Sequence, residues 1–297
     1  MRRGDGAVKP SILRLGPREF AVTDRVVMAI VNRTPDSFYD RGATFAEEKA
    51  MHRVHEVVAE GADIVDIGGV PAGPGADVDA AEEIKRTATF VAAVRAAYPR
   101  VVISVDTYRH EVARAVCAAG ADLINDPWGG VDDKLAGVAA EFDVGLVCAH
   151  AGPMAPRTRP FRVAYDDVVA EVLKHTVELA GRAAAAGVDP QRIIVDPAHD
   201  FGKNTWHSLE VTRRLGELVA TGWPVLVSLS NKDFVGETLD APVDDRVAGT
   251  LATTSVCAWL GARVYRVHQI RQTRQVLDMV SSIAGDRPPR RATRGLA

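Results

Sequence analysis

Residues 101–126 open with Val101-Val102-Ile103-Ser104-Val105-Asp106-Thr107 and close with Leu123-Ile124-Asn125-Asp126, and between them lies the helically spaced run 111–119. A short β-branched run, an amphipathic segment, a glycine at the junction (Gly120) and a second apolar run make one strand–helix–strand unit, the repeat from which parallel sheets are built. Both strands of this unit lead into a polar pair, Asp106-Thr107 and Asn125-Asp126.

The same pattern recurs outward in both directions. Strands are expected at 26–31, 64–67, 101–105, 123–125, 144–149, 193–195, 225–229 and 264–267, with helices at 46–60, 81–98, 111–119, 134–141, 165–186, 208–219, 244–260 and 273–283. Gly61, Gly120, Gly187 and Gly261 follow four of the helices, where a chain leaving a helix favours a residue free to take positive φ. Eight βα units favour a single α/β domain closed as a (β/α)8 TIM barrel, and no Gly-x-Gly-x-x-Gly follows the first strand to argue for an open doubly wound sheet. The expected division is a short N-terminal extension (1–25) forming a hairpin or lid over the barrel floor, the barrel itself (26–285), and an Arg- and Pro-rich tail (286–297) that is frayed and solvated.

The 297 residues are 47% hydrophobic and 25% charged, enough to bury a large core and to exclude a disordered chain. A formal charge of -3 gives no global attraction to nucleic acid or to an acidic membrane surface, and no stretch approaches 18 uncharged apolar residues. Cys117, Cys148 and Cys257 are odd in number and far apart, which argues against a disulfide framework and for a reducing, cytoplasmic setting.

The informative polar residues fall directly after strands. Asn32-Arg33-Thr34-Pro35-Asp36-Ser37-Phe38 follows the first strand and Asp106-Thr107 the third, while the fourth runs into Asn125-Asp126 and the fifth ends at His150. The sixth ends at Asp196, the seventh at Ser230-Asn231-Lys232, and the eighth carries Arg266-Val267-His268. Taken singly, an Asp after a strand is a helix cap and a loop Lys or Arg is a solvated charge. Taken together, seven of eight strand ends deliver polar groups to the face where such barrels build their sites. Asp106, Asn125 and Asp196 have the acceptors to pair with the amino and ring N–H groups of a flat heterocycle, and Lys232 can donate to its carbonyl. Arg266, His268 and Asn32 offer an anion site, with Asn32 also a neutral oxygen ligand for Mg²⁺.

These residues carry a resemblance to the dihydropteroate synthase family, whose opening signature Asn-Val-Thr-Pro-Asp-Ser-Phe is matched by 32–38 with Arg33 as the one departure. Asp66-Ile67-Gly68-Gly69, Ser104-Val105-Asp106-Thr107, Ile124-Asn125-Asp126, Asp196-Pro197, Phe201-Gly202-Lys203, Ser230 with Lys232, and Arg266-Val267-His268 also match in order. The resemblance implies a pterin pyrophosphate whose methylene is captured by the amine of p-aminobenzoate. Asp106, Asn125, Asp196, Lys232 and Phe201 would hold the pterin, with Asp106 and Lys232 as the catalytic pair. Asn32, Arg266 and His268 would hold the pyrophosphate and its Mg²⁺. It further implies a homodimer, to which apolar faces of 244–260 and 273–283 would contribute.

The departures are concentrated on the second-substrate side. The family's Gly-Glu-Ser-Thr-Arg-Pro-Gly is here Gly69-Val70-Pro71-Ala72-Gly73-Pro74-Gly75, so Ala72 stands for the Thr and Gly73 for the pyrophosphate-contacting Arg. The family's Ser-Arg-Lys-Ser is here Ser230-Asn231-Lys232-Asp233, which sets the Asp233 carboxylate where the resemblance places the benzoate carboxylate. Repulsion between two such charges about 4 Å apart is on the order of 4 kcal/mol at an effective dielectric of 20. In these departures the chain resembles the diverged second paralogue of actinobacterial type: a pterin pocket kept, a p-aminobenzoate pocket altered, synthase activity weak or absent. The alternative is an active synthase in which Arg33 reaches the pyrophosphate in place of the missing Arg. Folate-dependent methyl transfer to a corrinoid protein and a non-catalytic subunit are the remaining readings.

Overall fold

The computed structural model describes residues 12–34, 46–71, 73, 75, 77–153, 155–158 and 163–295. The described chain opens with an antiparallel hairpin, β1 (Leu13–Leu15) and β2 (Arg18–Phe20). The turn between them needs Gly16, which has φ +49° and whose missing Cβ would fall 2.1 Å from Asp122 Oδ1. Eight parallel strands follow: β3 (Val26–Asn32), β4 (Ile64–Gly68), β5 (Val102–Asp106), β6 (Leu123–Asp126), β7 (Gly145–Ala149), β8 (Ile193–Asp196), β9 (Leu226–Ser228) and β10 (Val264–Val267). Their order in the sheet is β8-β7-β6-β5-β4-β3-β10-β9, and a parallel bridge between Val195 and Val225 joins the two outer strands. The expected (β/α)8 barrel is the architecture found.

Helices cover its outside: α1 (Glu47–Ala59), α2 (Ala80–Ala97), α3 (His110–Ala118), α4 (Leu135–Glu141), α5 (Val168–Ala185), α6 (Thr205–Arg213), α7 (Leu215–Val219), α8 (Asp233–Leu239), α9 (Val247–Trp259) and α10 (Ile270–Ala284). The four glycines expected to end helices all have positive φ, between 97° and 108°. Two differences from expectation are instructive. The run 208–219 breaks at Arg214, whose guanidinium is bound by Asp167, Glu210 and Glu217. Helix α8 has no counterpart among the expected helices, because seven residues with Gly236 inside are too short to show a helical period.

Strand residues alternate between two environments, as a period of two requires. Val27, Ala29, Val65, Ile67, Ile103, Val105, Ile124, Cys148, Val195, Val227 and Tyr265 face outward into a large core shared with the helices. Val26, Met28, Ile64, Val102, Leu123, Val147, Ile194, Leu226 and Val264 face inward and form a separate cluster with Leu13, Leu15 and Phe20 of the hairpin. Among the described residues, the hairpin therefore closes one end of the barrel. The described part of the tail is exposed, and Arg287 and Arg290 both pair with Asp278 on α10.

If the hairpin is part of the barrel's interior packing, Leu15→Ala leaves a cavity in the floor and costs about 2–5 kcal/mol. Urea unfolding with an unchanged slope measures it; a loss well under 1 kcal/mol would show that the hairpin only rests on the barrel.

Candidate functional site

Two residues further along, the inward positions turn polar on six of the eight strands, while Ile30 on β3 and Ala149 on β7 stay apolar. Ile64 is followed by Asp66, Val102 by Ser104 and Asp106, Leu123 by Asn125, Ile194 by Asp196, Leu226 by Ser228, and Val264 by Arg266 and His268. The hairpin closes one end of the barrel and this polar layer sits toward the other, at the C-terminal ends of the strands.

Arg266 is its centre. Nε donates to Asp66 Oδ2 (2.6 Å) and Nη2 to Asp106 Oδ2 (2.8 Å). Asp66, fully buried, also accepts from Ser104 Oγ (2.6 Å) and from Asn125 Nδ2 (3.3 Å to each oxygen). Asp106, Asn125 and Arg266, assigned to pterin and pyrophosphate from sequence, are thus one network, and its organiser is Asp66. The sequence quoted Asp66 only as part of a motif; its inward register two residues beyond Ile64 was the available signal.

Burial pushes the Asp106 carboxyl up to about 7, with Arg266 opposing the rise and Asp66, Glu83 and Asp126 adding to it. Asp196 is raised by burial too, against the pull of Lys232, and its Oδ1 accepts from the Ala198 N–H (2.7 Å). Lys232 lies below the usual lysine range through burial, Asp200 and Asp196 opposing. Its ammonium sits 4.9 Å from the Phe201 ring centroid and donates to the His199 carbonyl. Phe201 in turn meets Trp128 edge-on at 5.0 Å. Phe201, Asp196 and Lys232 are therefore together, and Trp128 and Asp200 are neighbours that the motif reading missed. Asp126 plays a local part instead, accepting from the N–H groups of Trp128 (2.9 Å) and Gly130 (2.7 Å) to hold the loop after β6.

On the anion side, Asn32 ends β3 in register with Gly68, and its Oδ1 would lie 3.3 Å from a Cβ at that glycine. Desolvation, with the charges of Arg266 and Arg53, holds His268 down to about 3. At neutral pH it offers a hydrogen bond rather than a charge. The Arg266 charge, expected to face an anion, is here shared by Asp66 and Asp106.

The second-substrate side departs more from expectation. Arg33 is buried, its guanidinium 4.9 Å from the Phe90 ring centroid and its Nε 3.4 Å from the Arg86 carbonyl, both on α2. It is not the solvated loop charge expected, because the cation and its alkyl stem pack against an aromatic ring of α2. Asp233 is exposed and its Oδ1 accepts from Arg246 Nη1 (2.9 Å). A charge both paired and solvated repels a ligand carboxylate far less than the isolated one assumed from sequence. Gly73 has nothing among the described residues within 4 Å of where its Cβ would be, and its carbonyl accepts from Arg157 Nε (3.3 Å). Ala72 and the run 35–38 lie outside the described residues.

Residues 28–268 match the pterin-binding enzyme family over most of the barrel. The chain belongs to the dihydropteroate synthase family. It is 58% identical over 276 residues to a Mycobacterium tuberculosis protein called inactive dihydropteroate synthase 2, covering 92% of this chain and 87% of that one. It is 38% identical over 260 residues to the Bacillus subtilis dihydropteroate synthase, covering 87% and 88%. The Xanthomonas albilineans dihydropteroate synthase, solved in complex with 7,8-dihydropteroate, superimposes with a TM-score of 0.80 at 34% identity over 92% of this chain and 98% of that one.

Between about pH 4 and pH 7 the folded state keeps a proton on Asp106 that an unfolded carboxyl has released, so this group's contribution to stability falls as pH rises through that window. Asp106→Asn should therefore lose less stability than the wild type between pH 5 and pH 7.5 in urea unfolding. Equal losses in the two proteins would mean that Asp106 titrates in the ordinary carboxylate range.

Proposed function

We propose that the chain binds a pterin, as its pyrophosphate or a related form, at the mouth of the barrel, and that ordinary dihydropteroate synthesis is weak or absent. The observation that carries this reading is the contrast between the two sides of the mouth. Asp106, Asn125, Asp196 and Lys232 converge with Phe201, the groups a flat heterocycle with N–H donors and a carbonyl needs. Across from them Gly73 offers no side chain and Arg33 is engaged on α2. A departing pyrophosphate then lacks the cation the family places at position 73, and Arg33 does not stand in for it. The name of the 58% identical mycobacterial relative supports the same conclusion.

For the pyrophosphate and its Mg²⁺, Asn32 would supply a neutral oxygen, and Arg266 and His268 would supply donors once a ligand draws Arg266 from its carboxylates. A single protein oxygen suits a magnesium ion that keeps waters and takes most of its ligands from phosphate. Asp106 would accept from the ring or steady its developing positive charge, and Lys232 would donate to the ring carbonyl. The protein would act as a homodimer in the cytoplasm. Val256 and Trp259 on α9 and Met279 and Ile283 on α10 are exposed apolar residues on packed neighbouring helices, and the three cysteines are buried thiols. Among the described residues no helix is long and apolar enough to cross a membrane.

The first test measures pyrophosphate release and dihydropteroate formation from hydroxymethyldihydropterin pyrophosphate, Mg²⁺ and p-aminobenzoate, with pterin affinity on the same sample. Binding without turnover is expected; turnover at the rate of an ordinary synthase would make this an active folate enzyme instead. Asp196→Asn should weaken pterin binding at least roughly thirtyfold in calorimetry, the loss of about 2 kcal/mol or more typical of a buried charged hydrogen bond. Undiminished binding would remove Asp196 from the pocket. Gly73→Arg, whose Cβ would meet nothing within 4 Å among the described residues, should raise turnover more than Asp233→Ser does, because the Asp233 charge is already paired with Arg246. The opposite ranking would restore Asp233 as the block.

A further inference from the structure

The connection from β8 to α6 runs through two non-glycine residues in the left-handed region, Ala198 at φ +49° and Asp200 at φ +68°. Such conformations persist only where the surroundings over-determine them. The residue between them, His199, is fully buried: its ring stacks on Phe234 of α8 (5.6 Å, 25°) and its Nε2 lies 3.1 Å from Thr212 Oγ1 on α6. Its carbonyl is thereby fixed as the acceptor for the Lys232 ammonium.

Asp200 reaches the same lysine by another route. Its Oδ1 accepts from Ser208 Oγ on α6 (3.0 Å), and its Oδ2 accepts from the Phe234 N–H (3.2 Å) in the first turn of α8, two residues after Lys232. Both of these partners are uncharged. Among the groups that favour the charged form of Lys232, Asp200 comes ahead of Asp196, and Lys232 is in turn the leading charge acting on Asp200. The other charged groups facing Lys232 are Arg266 on β10, Lys203 on the same connection and Asp233 on α8.

We propose that Asp200 is the positioning residue of Lys232: it ties down the helical turn that carries the lysine and remains its counter-ion when a ligand takes up Asp196. The second half of this statement rests on the pterin-binding reading above; the first does not. A pterin whose N–H groups engage Asp196 diverts that carboxylate from the lysine. An ammonium left in a desolvated site beside the cations Arg266 and Lys203, with only the exposed and already paired Asp233 as a carboxylate, would give up its proton and cease to donate to the ring carbonyl. Asp200, held by a hydroxyl and an amide rather than by a ligand, keeps it charged.

Asp200→Asn preserves an acceptor for the Phe234 N–H and removes the charge. In the full chain carrying isotope-labelled lysine, with the Lys232 signal assigned by its loss in Lys232→Arg, the Lys232 titration midpoint should fall by about one unit or more, roughly tenfold in proton affinity. Asp200→Glu should bring it back. With 6-hydroxymethylpterin as probe, the alkaline limb of the affinity profile should move to lower pH in Asp200→Asn, and the substitution should add no further loss in a Lys232→Met background. An unchanged Lys232 midpoint in folded Asp200→Asn overturns the proposal, as does an equal loss of affinity with Lys232 absent. Should Asp200→Asn not fold, Asp200→Ser takes its place in the same titration with the same criteria. A lysine midpoint that moves in a protein that binds no pterin would leave Asp200 in its role and overturn the pterin reading instead.

Discussion

A guanidinium inside a barrel has to be met by carboxylates, and the pairing of Arg266 with Asp66 and Asp106 is the interaction on which the mouth depends. Removing either partner would leave an uncompensated charge in a desolvated interior, a larger loss than the pair is worth when intact. The three groups come from β10, β4 and β5, so the pairing requires the barrel to be closed with each strand in register. Asn125 and Ser104 complete it by filling the remaining acceptor sites of Asp66. The cost appears in the carboxylates themselves, since burial lifts both Asp106 and Asp196 above their ordinary range. Perturbed carboxylates beside a lysine in one mouth are what a ligand-binding site of this chemistry requires.

The scaffold under this layer is unremarkable in its physics. Inward residues near the floor are apolar and close over the hairpin; the next inward residues are polar and find one another. Function is then adjusted in the connections. The β8–α6 connection holds Lys232 through His199 and Asp200, while the connections after β3, β4 and β9 carry the departures at Arg33, Gly73 and Asp233. Barrel enzymes vary in this manner, with the strands fixed and the loops at their C-terminal ends exchanged. In the proposed reading, a retained pterin side and an altered acceptor side are separated by the loops in which these departures fall.

Much of this was legible from the chain because short β-branched runs of three to seven residues leading into polar residues are seldom ambiguous. The strand bounds moved by at most one residue at either end, and the four helix-ending glycines behaved as their position required. Helix α8 was missed for want of length. Arg33 and Asp233 were misjudged in a more informative way. Each was weighed as a charge in a loop, and each turned out to be spent on a partner distant in sequence, Arg33 on Phe90 and Asp233 on Arg246.

The sequence by itself determined the strands, their parallel order and the set of polar residues at their ends, because periodicity and the chemistry of side chains are local properties. Only the tertiary structure decided which charges are free to meet a ligand and which are already paired. That follows from the range of the forces involved. Whether a carboxylate faces a cation, a hydroxyl or solvent depends on groups brought within a few ångströms by folding, and nothing in the spacing of Asp66 and Arg266, or of Asp200 and Lys232, records that they meet.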